Sequence, residues 1–148
     1  SHDDTTRDHV VTSHANGAGF AEFPTTLEAA DACRDHGIAV MMGAPNVIRG
    51  GSHSGNVAAL DLAKADLLDI LSSDYVPSGL LMAAFRIANV WNDLPRAIET
   101  VTRTPAIAVG LPDRGSLKIG LRGDVLRVRT VAGMPILRGV WAKGSRIT

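Results

Sequence analysis

Cysteine occurs once in the 148 residues, as Cys33. No intrachain disulfide framework can staple the fold, and a reducing compartment, the cytoplasm, is the expected setting. Net charge is missing as well, because 15 Lys and Arg balance 15 Asp and Glu. That balance argues against a general nucleic-acid or membrane-surface role. No stretch approaches the roughly 18 consecutive apolar residues of a membrane span, and the polar opening Ser1-His2-Asp3-Asp4-Thr5-Thr6 is unlike a secretory signal. The sequence does not open on methionine, and its first residues read as the end of a strand carrying His2, Asp3 and Asp4. The expectation is a fragment, or one of two pieces of a longer protein.

What is present suits one core, with 45% apolar residues. An apolar run over 67–71, broken by Asp69, stops at Ser72-Ser73-Asp74-Tyr75-Val76-Pro77. It reads as a buried strand that delivers the Asp74 carboxylate at its end. Before it the chain alternates. A weakly helical segment over 8–15 is closed by Asn16-Gly17-Ala18-Gly19, and a short strand follows over 20–23. A helix over 27–36 has Thr25 or Thr26 as N-cap, Glu28 against the helix dipole, and Gly37 as its stop. The continuous apolar run over 38–42 is of the kind buried on both faces of a parallel sheet. A long glycine-rich loop over 43–56 and a helix over 57–65 lead to the 67–71 strand, and helices over 78–90 and 94–101 follow it. From Thr104 glycine and proline punctuate short β stretches such as 125–128 and 136–140. The expected class is α/β: parallel β/α units whose strand ends form a site, too few to close a barrel, with a small β-rich appendix.

Several motifs carry a resemblance. Ser1-His2-Asp3-Asp4, Glu22-Phe23-Pro24-Thr25-Thr26, Met42-Gly43-Ala44-Pro45-Asn46, Arg49-Gly50-Gly51-Ser52-His53-Ser54-Gly55-Asn56 and Leu71-Ser72-Ser73-Asp74-Tyr75 together resemble the amidohydrolase superfamily. Within it they are similar to the diphosphatase branch of phosphonate metabolism, in the carbon–phosphorus lyase pathway. Val101-Thr102-Arg103-Thr104-Pro105-Ala106, Asp113-Arg114-Gly115 and Gly120-Leu121-Arg122-Gly123-Asp124 resemble the returning segment of that superfamily's composite β domain.

The resemblance implies a metal-dependent hydrolase on a (β/α)8 barrel. Residues 1–103 would be its C-terminal half, about strands five to eight, and 104–148 the C-terminal segment of a composite β-sandwich domain. The implied reaction cleaves a phosphoanhydride of ribose 1-methylphosphonate 5-triphosphate, a phosphorylated small molecule, and releases pyrophosphate. The implied cofactor is a divalent metal, zinc first, with Mn or Mg possible, and the implied assembly is a homo-oligomer. The His-x-His of the superfamily's first strand is missing, since no two of His2, His9, His14, His36 and His53 are one residue apart. The N-terminal half of the same barrel, as a missing segment or second chain, is therefore the implied partner.

Residue by residue, the resemblance makes His2 a metal ligand, with neighbouring carboxylates able to orient its other nitrogen. Asp3 and Asp4 are turn or supporting groups. Asp74 matches the aspartate that binds metal and relays the proton of the attacking water, against the plainer role of a helix N-cap. Glu22 stands where many members have a histidine; it can bind metal, orient a ribose hydroxyl, or pair with Arg34. Asn46, Arg49, Gly50, Gly51, Ser52, His53 and Asn56 form the substrate candidate. Glycines allow backbone N–H groups close to an anion, a guanidinium grips phosphate oxygens in pairs, and His53 can give a proton to a pyrophosphate leaving group or serve as a metal ligand. No Gly-Lys-Ser/Thr follows, so this is no Walker motif. Cys33 reads as packing. Two other functions stay open: hydrolysis of a cyclic amide or imine, against which the phosphate-friendly loop argues, and a non-catalytic binding or assembly half.

Overall fold

The computed structural model describes residues 1–52 and 54–148. Three short strands, β1 (Phe20–Glu22), β2 (Ala39–Gly43) and β3 (Ile70–Ser72), lie parallel and side by side in chain order. Residues 1–3 run parallel along the outer edge of β1. His2 bridges Glu22, the Glu22 N–H donates to the Ser1 carbonyl at 2.9 Å, and the Asp3 N–H donates to the Glu22 carbonyl at 3.0 Å. Parallel neighbours cannot be joined by tight hairpins, so the chain crosses back each time through helix. Every strand therefore ends at the same rim.

The crossovers are α1 (Arg7–Ala15), α2 (Leu27–Asp35) and the pair α3 (Ala44–Arg49) and α4 (Ala59–Lys64). Their ends follow capping chemistry. The Thr6 side chain accepts from the His9 N–H, and Thr26 accepts from the Ala29 N–H, each satisfying a donor the first turn leaves free. Helices α5 (Leu80–Trp91), α6 (Leu94–Glu99) and α7 (Arg103–Ala108) follow β3. Strand side chains alternate between faces, so the register sets Ala21 beside Val40 and Met42 beside Leu71 on one face. These four pack with Ala29, Ala30, Cys33, Leu62 and Ile87 in one buried cluster. Full burial of a side chain such as Leu62 or Ile87 stabilises by about 1.5–3 kcal/mol. The opposite face carries His2, Glu22, Met41, Gly43 and Ser72.

Several boundaries differ from the sequence expectation. Residues 44–49 of the expected loop are helical: Pro45 supplies a preset φ in the first turn, and Gly50, at φ 84°, ends the helix in the left-handed conformation. The strand expected over 67–71 is displaced to Ile70–Ser72, because Asp69 is spent as a bonding group below it, accepting the Val40 N–H at 2.8 Å and pairing with Arg34 at 3.2 Å. Past Thr104 the chain is first helical, in α7, and forms strands only from Val125. There β4 (Val125–Val131), β5 (Met134–Ala142) and β6 (Ser145–Arg146) make an antiparallel sheet, with a bulge at Arg127/Val128, that packs β5 against α5. Among the described residues no helix is long and apolar enough to cross a membrane.

Candidate functional site

At the carboxyl ends of parallel strands the side chains that follow each strand converge, which is where open α/β sheets bind ligands. Here the rim carries His2 and Asp3, then Glu22 at the end of β1 with Phe23 just after it, Gly43 at the end of β2, and Asp74 beyond β3. Asp3, Phe23 and Asp74 have φ of 57°, 57° and 49°. Each is a non-glycine residue in the left-handed region, where the chain turns sharply off its strand. Such conformations cost of order 1–3 kcal/mol and persist only where the surroundings hold them.

His2 is held from two sides. Its Nδ1 lies 2.8 Å from Asp3 Oδ2, and its Nε2 lies 3.8 Å from Glu22 Oε2. Its ring also meets Phe23 edge-to-face, with centroids 5.4 Å apart and planes at 89°. The Asp3 carboxylate thus stands on the Nδ1 side of the ring and the Glu22 carboxylate on the Nε2 side, so that carboxylates flank both imidazole nitrogens. Glu22 does not pair with Arg34. Arg34 is taken by Asp69 and by the Asp66 carbonyl, at 2.7 Å from the latter.

Beside this pair lies a cleft of about 420 Å³. Asp3, Phe23 and Gly43 floor it on the strand side. Asn46, Arg49, Gly51, Ser52 and Asn56 line it from the segment after β2, and Asp74 and Tyr75 from the turn after β3. The structure thus brings Asp74 and the Arg49 segment to one cavity. His53 lies outside the described residues. Two members of the segment are already engaged. The N–H groups of Gly50 and Gly51 both donate to the Asn46 carbonyl at 3.1 Å, finishing α3, so neither is free to meet an anion. Asn46 Oδ1 accepts the Ala59 N–H at 2.9 Å, supplying α4 with the cap its own Ala58 cannot give. Among the described residues of the segment, a ligand can meet the Arg49 guanidinium, the Asn56 amide, the Ser52 and Ser54 hydroxyls, which bond to each other at 3.0 Å, and the second half of the Asn46 amide.

A metal ion can be tested against the donors. His2 Nε2 and Glu22 Oε2 are separated by less than twice the usual metal–donor bond of about 2.1 Å, so one ion can touch both. The chemistry of the pair fits a zinc-like ion; the number of donors does not fill a site. Among the described residues no three of His, Cys, Asp and Glu gather closely enough to hold an ion.

Sequence reasoning passed over two contributors. Gly43 sat inside a quoted motif without a role, although a glycine closing an apolar strand is itself a signal of close approach. Arg86, on α5, donates from Nη1 to the Ile48 carbonyl at 2.5 Å and the Val47 carbonyl at 3.4 Å, and so holds the end of α3 from which Arg49 projects. No sequence signal joins residues so far apart.

Comparison with known proteins agrees with the motif resemblance. No protein-family model matches the sequence. The chain is 52% identical over 150 aligned positions to alpha-D-ribose 1-methylphosphonate 5-triphosphate diphosphatase of Escherichia coli (strain K12), an alignment covering 99% of this chain and 40% of that protein. The chain therefore spans well under half the length of this curated relative. Among solved structures, an uncharacterized protein superposes with a TM-score of 0.68 at 19% identity, over 99% of this chain and 44% of its own. An amidohydrolase from Thermotoga maritima MSB8 superposes at 0.56 and 10% identity, over 86% and 42%. At these identities the two structures speak for the fold alone.

Proposed function

We propose that this chain is the C-terminal half of an amidohydrolase-type (β/α)8 barrel, residues 1–103, with 104–148 joining a composite β domain. The whole protein would be a cytoplasmic metal-dependent hydrolase that releases pyrophosphate from ribose 1-methylphosphonate 5-triphosphate. The curated relative carries that substrate in its name. One juxtaposition in the structure supports the reading: Asp74 and Arg49 line one cleft, beside a histidine that the Asp3 carboxylate flanks.

A divalent ion, zinc or alternatively Mn or Mg, held by His2 and Glu22 with further ligands from an N-terminal half, would supply Lewis acidity toward water and phosphate oxygens. The chain's own residues account for the rest. Arg49 grips phosphate oxygens in pairs, and the Ser52 hydroxyl and the Asn46 amide add donors to the same polyphosphate. The Asn56 amide adds a further donor, and Gly50 and Gly51 leave open space around that wall, since a Cβ added at either would meet nothing within 4 Å. Asp74 accepts a proton from the attacking water as the water oxygen bonds to the first phosphorus. The bridge to the second phosphorus breaks, and pyrophosphate leaves with the bonding electron pair. His53 is assigned the hydrogen bond or proton to that leaving group. Such a transition state is mainly charge to be placed and neutralised, which suits this wall of donors.

The test is Asp74→Asn in the full-length protein, assayed for pyrophosphate. A fall of about 10²-fold or more is expected, in line with loss of a positioned proton acceptor; full turnover would remove Asp74 from the reaction. Release of ammonia or a ring-opened product instead of pyrophosphate would move the reaction to C–N bonds. The incomplete donor set favours a second statement, that this half needs the other: metal analysis of residues 1–148 alone should find no tight stoichiometric ion.

A further inference from the structure

We infer that Gly43 is a positioning residue for Asp74: the side chain missing at the end of β2 is the space in which the Asp74 carboxylate is held. The inference rests on the catalytic role proposed above for Asp74.

Gly43 has φ −80° and ψ 139°, a conformation open to any residue. Backbone freedom does not explain a glycine there. Space does. A Cβ built on Gly43 would stand 2.9 Å from Asp74 Oδ2, 3.3 Å from Asp74 Cβ and 3.2 Å from Phe23 Cε1. The two neighbours cannot retreat equally. Phe23 and Asp74 both sit in the left-handed region, at φ 57° and 49°, so their backbones are fixed by sharp turns at the rim. Phe23 is further held against the His2 ring. The soft coordinate is rotation of the Asp74 carboxylate about its own side-chain bonds. An alanine at 43 thus turns that carboxylate, its nearest contact, while Phe23 Cε1 and Asp74 Cβ each give by a few tenths of an ångström.

Gly43 differs in this from other crowded glycines. A Cβ at Gly79 would meet the tip of Ile48, and one at Gly115 would meet the Arg103 backbone, neither of them a cleft carboxylate. Misplacing a reacting group by about 1 Å can cost on the order of 10²-fold in rate.

The experiment uses the full-length protein with ribose 1-methylphosphonate 5-triphosphate as substrate, and compares Gly43→Ala, Asp74→Asn and the double variant in kcat, KM and thermal midpoint. Gly43→Ala should lower kcat by about 10²-fold with KM within about twofold. In the Asp74→Asn background the same change should alter kcat by less than about threefold, because two residues acting through one group are not additive. An active Gly43→Ala beside an inactive Asp74→Asn overturns the positioning role alone. An active Asp74→Asn overturns the catalytic assignment and this inference with it. Should Gly43→Ala fail to fold, Asp74→Gly, which vacates the space and suits the local φ, decides: a Gly43→Ala/Asp74→Gly protein that melts with Asp74→Gly supports the inference, and one that still fails to fold overturns it.

Discussion

Asp3 Oδ2 stands 2.8 Å from His2 Nδ1, while the other imidazole nitrogen faces Glu22 across 3.8 Å. One carboxylate therefore stands against Nδ1, and the other faces Nε2. If His2 is a metal ligand, Asp3 is what aims it. Removing such a partner typically lowers metal affinity by about 10–100-fold. Asp3→Ala in the full-length protein should show that loss in a chelator competition for Zn, whereas Asp3→Asn, which keeps an oxygen acceptor, should lose less. Equal affinity in all three proteins would detach Asp3 from the metal.

A second prediction separates structure from binding at Asn46. Its Oδ1 accepts the Ala59 N–H at 2.9 Å, and Ala58, the residue at the cap of α4, has no side chain that can do so. Asn46→Leu should destabilise the protein by about 1–2 kcal/mol, the usual worth of a lost cap. Asn46→Asp keeps the acceptor and should retain most of that stability. The opposite ranking holds for substrate, since a carboxylate facing a polyphosphate repels it: Asn46→Asp should raise KM above that of Asn46→Leu while keeping the higher urea midpoint of the two. Urea denaturation and steady-state kinetics on the same two variants check both halves.

Much of this fold was legible because its signals are local. The apolar run ending in Met42, the glycine at 37 and the threonine cap at 26 each announce an element from a few adjacent residues, and β2 and α2 lie almost where they point. The failures share a cause. Asp69 looks like an interruption inside a strand until its oxygen is seen to hold the Val40 N–H, from another strand. The segment 44–49 looks like loop because glycines surround it, yet Gly43 is there for space beside Asp74 and Gly50 to end a helix. The candidate site divides the same way. Motifs marked His2, Glu22, Arg49 and Asp74, but which of them meet depends on strand register: it joins His2 to Glu22, frees Glu22 from Arg34, and leaves Asp74 on the cleft wall. Single-residue spacing carries none of that.

The last prediction concerns the lone thiol. Cys33 is fully buried in the α2 side of the core, and its pKa is pushed up from 9.0 to about 11, first by burial and then by the nearby Asp4 carboxylate. A thiol held protonated is a poor nucleophile, so Cys33 should resist iodoacetamide in the native protein at pH 8 and react once it is unfolded. The same shift has a stability consequence whose sign can be worked out. Below pH 9 the thiol is protonated in both states and the effect is absent. Between about pH 9 and 11 the unfolded chain has released the proton while the folded chain keeps it, so the unfolded state binds fewer protons and stability falls as pH rises, by about 1.4 kcal/mol per pH unit at most. Cys33→Ala removes the titrating group. Urea midpoints measured from pH 8 to 11 should therefore fall more steeply for the native sequence than for Cys33→Ala; parallel curves would mean that the thiol reaches solvent before it ionises.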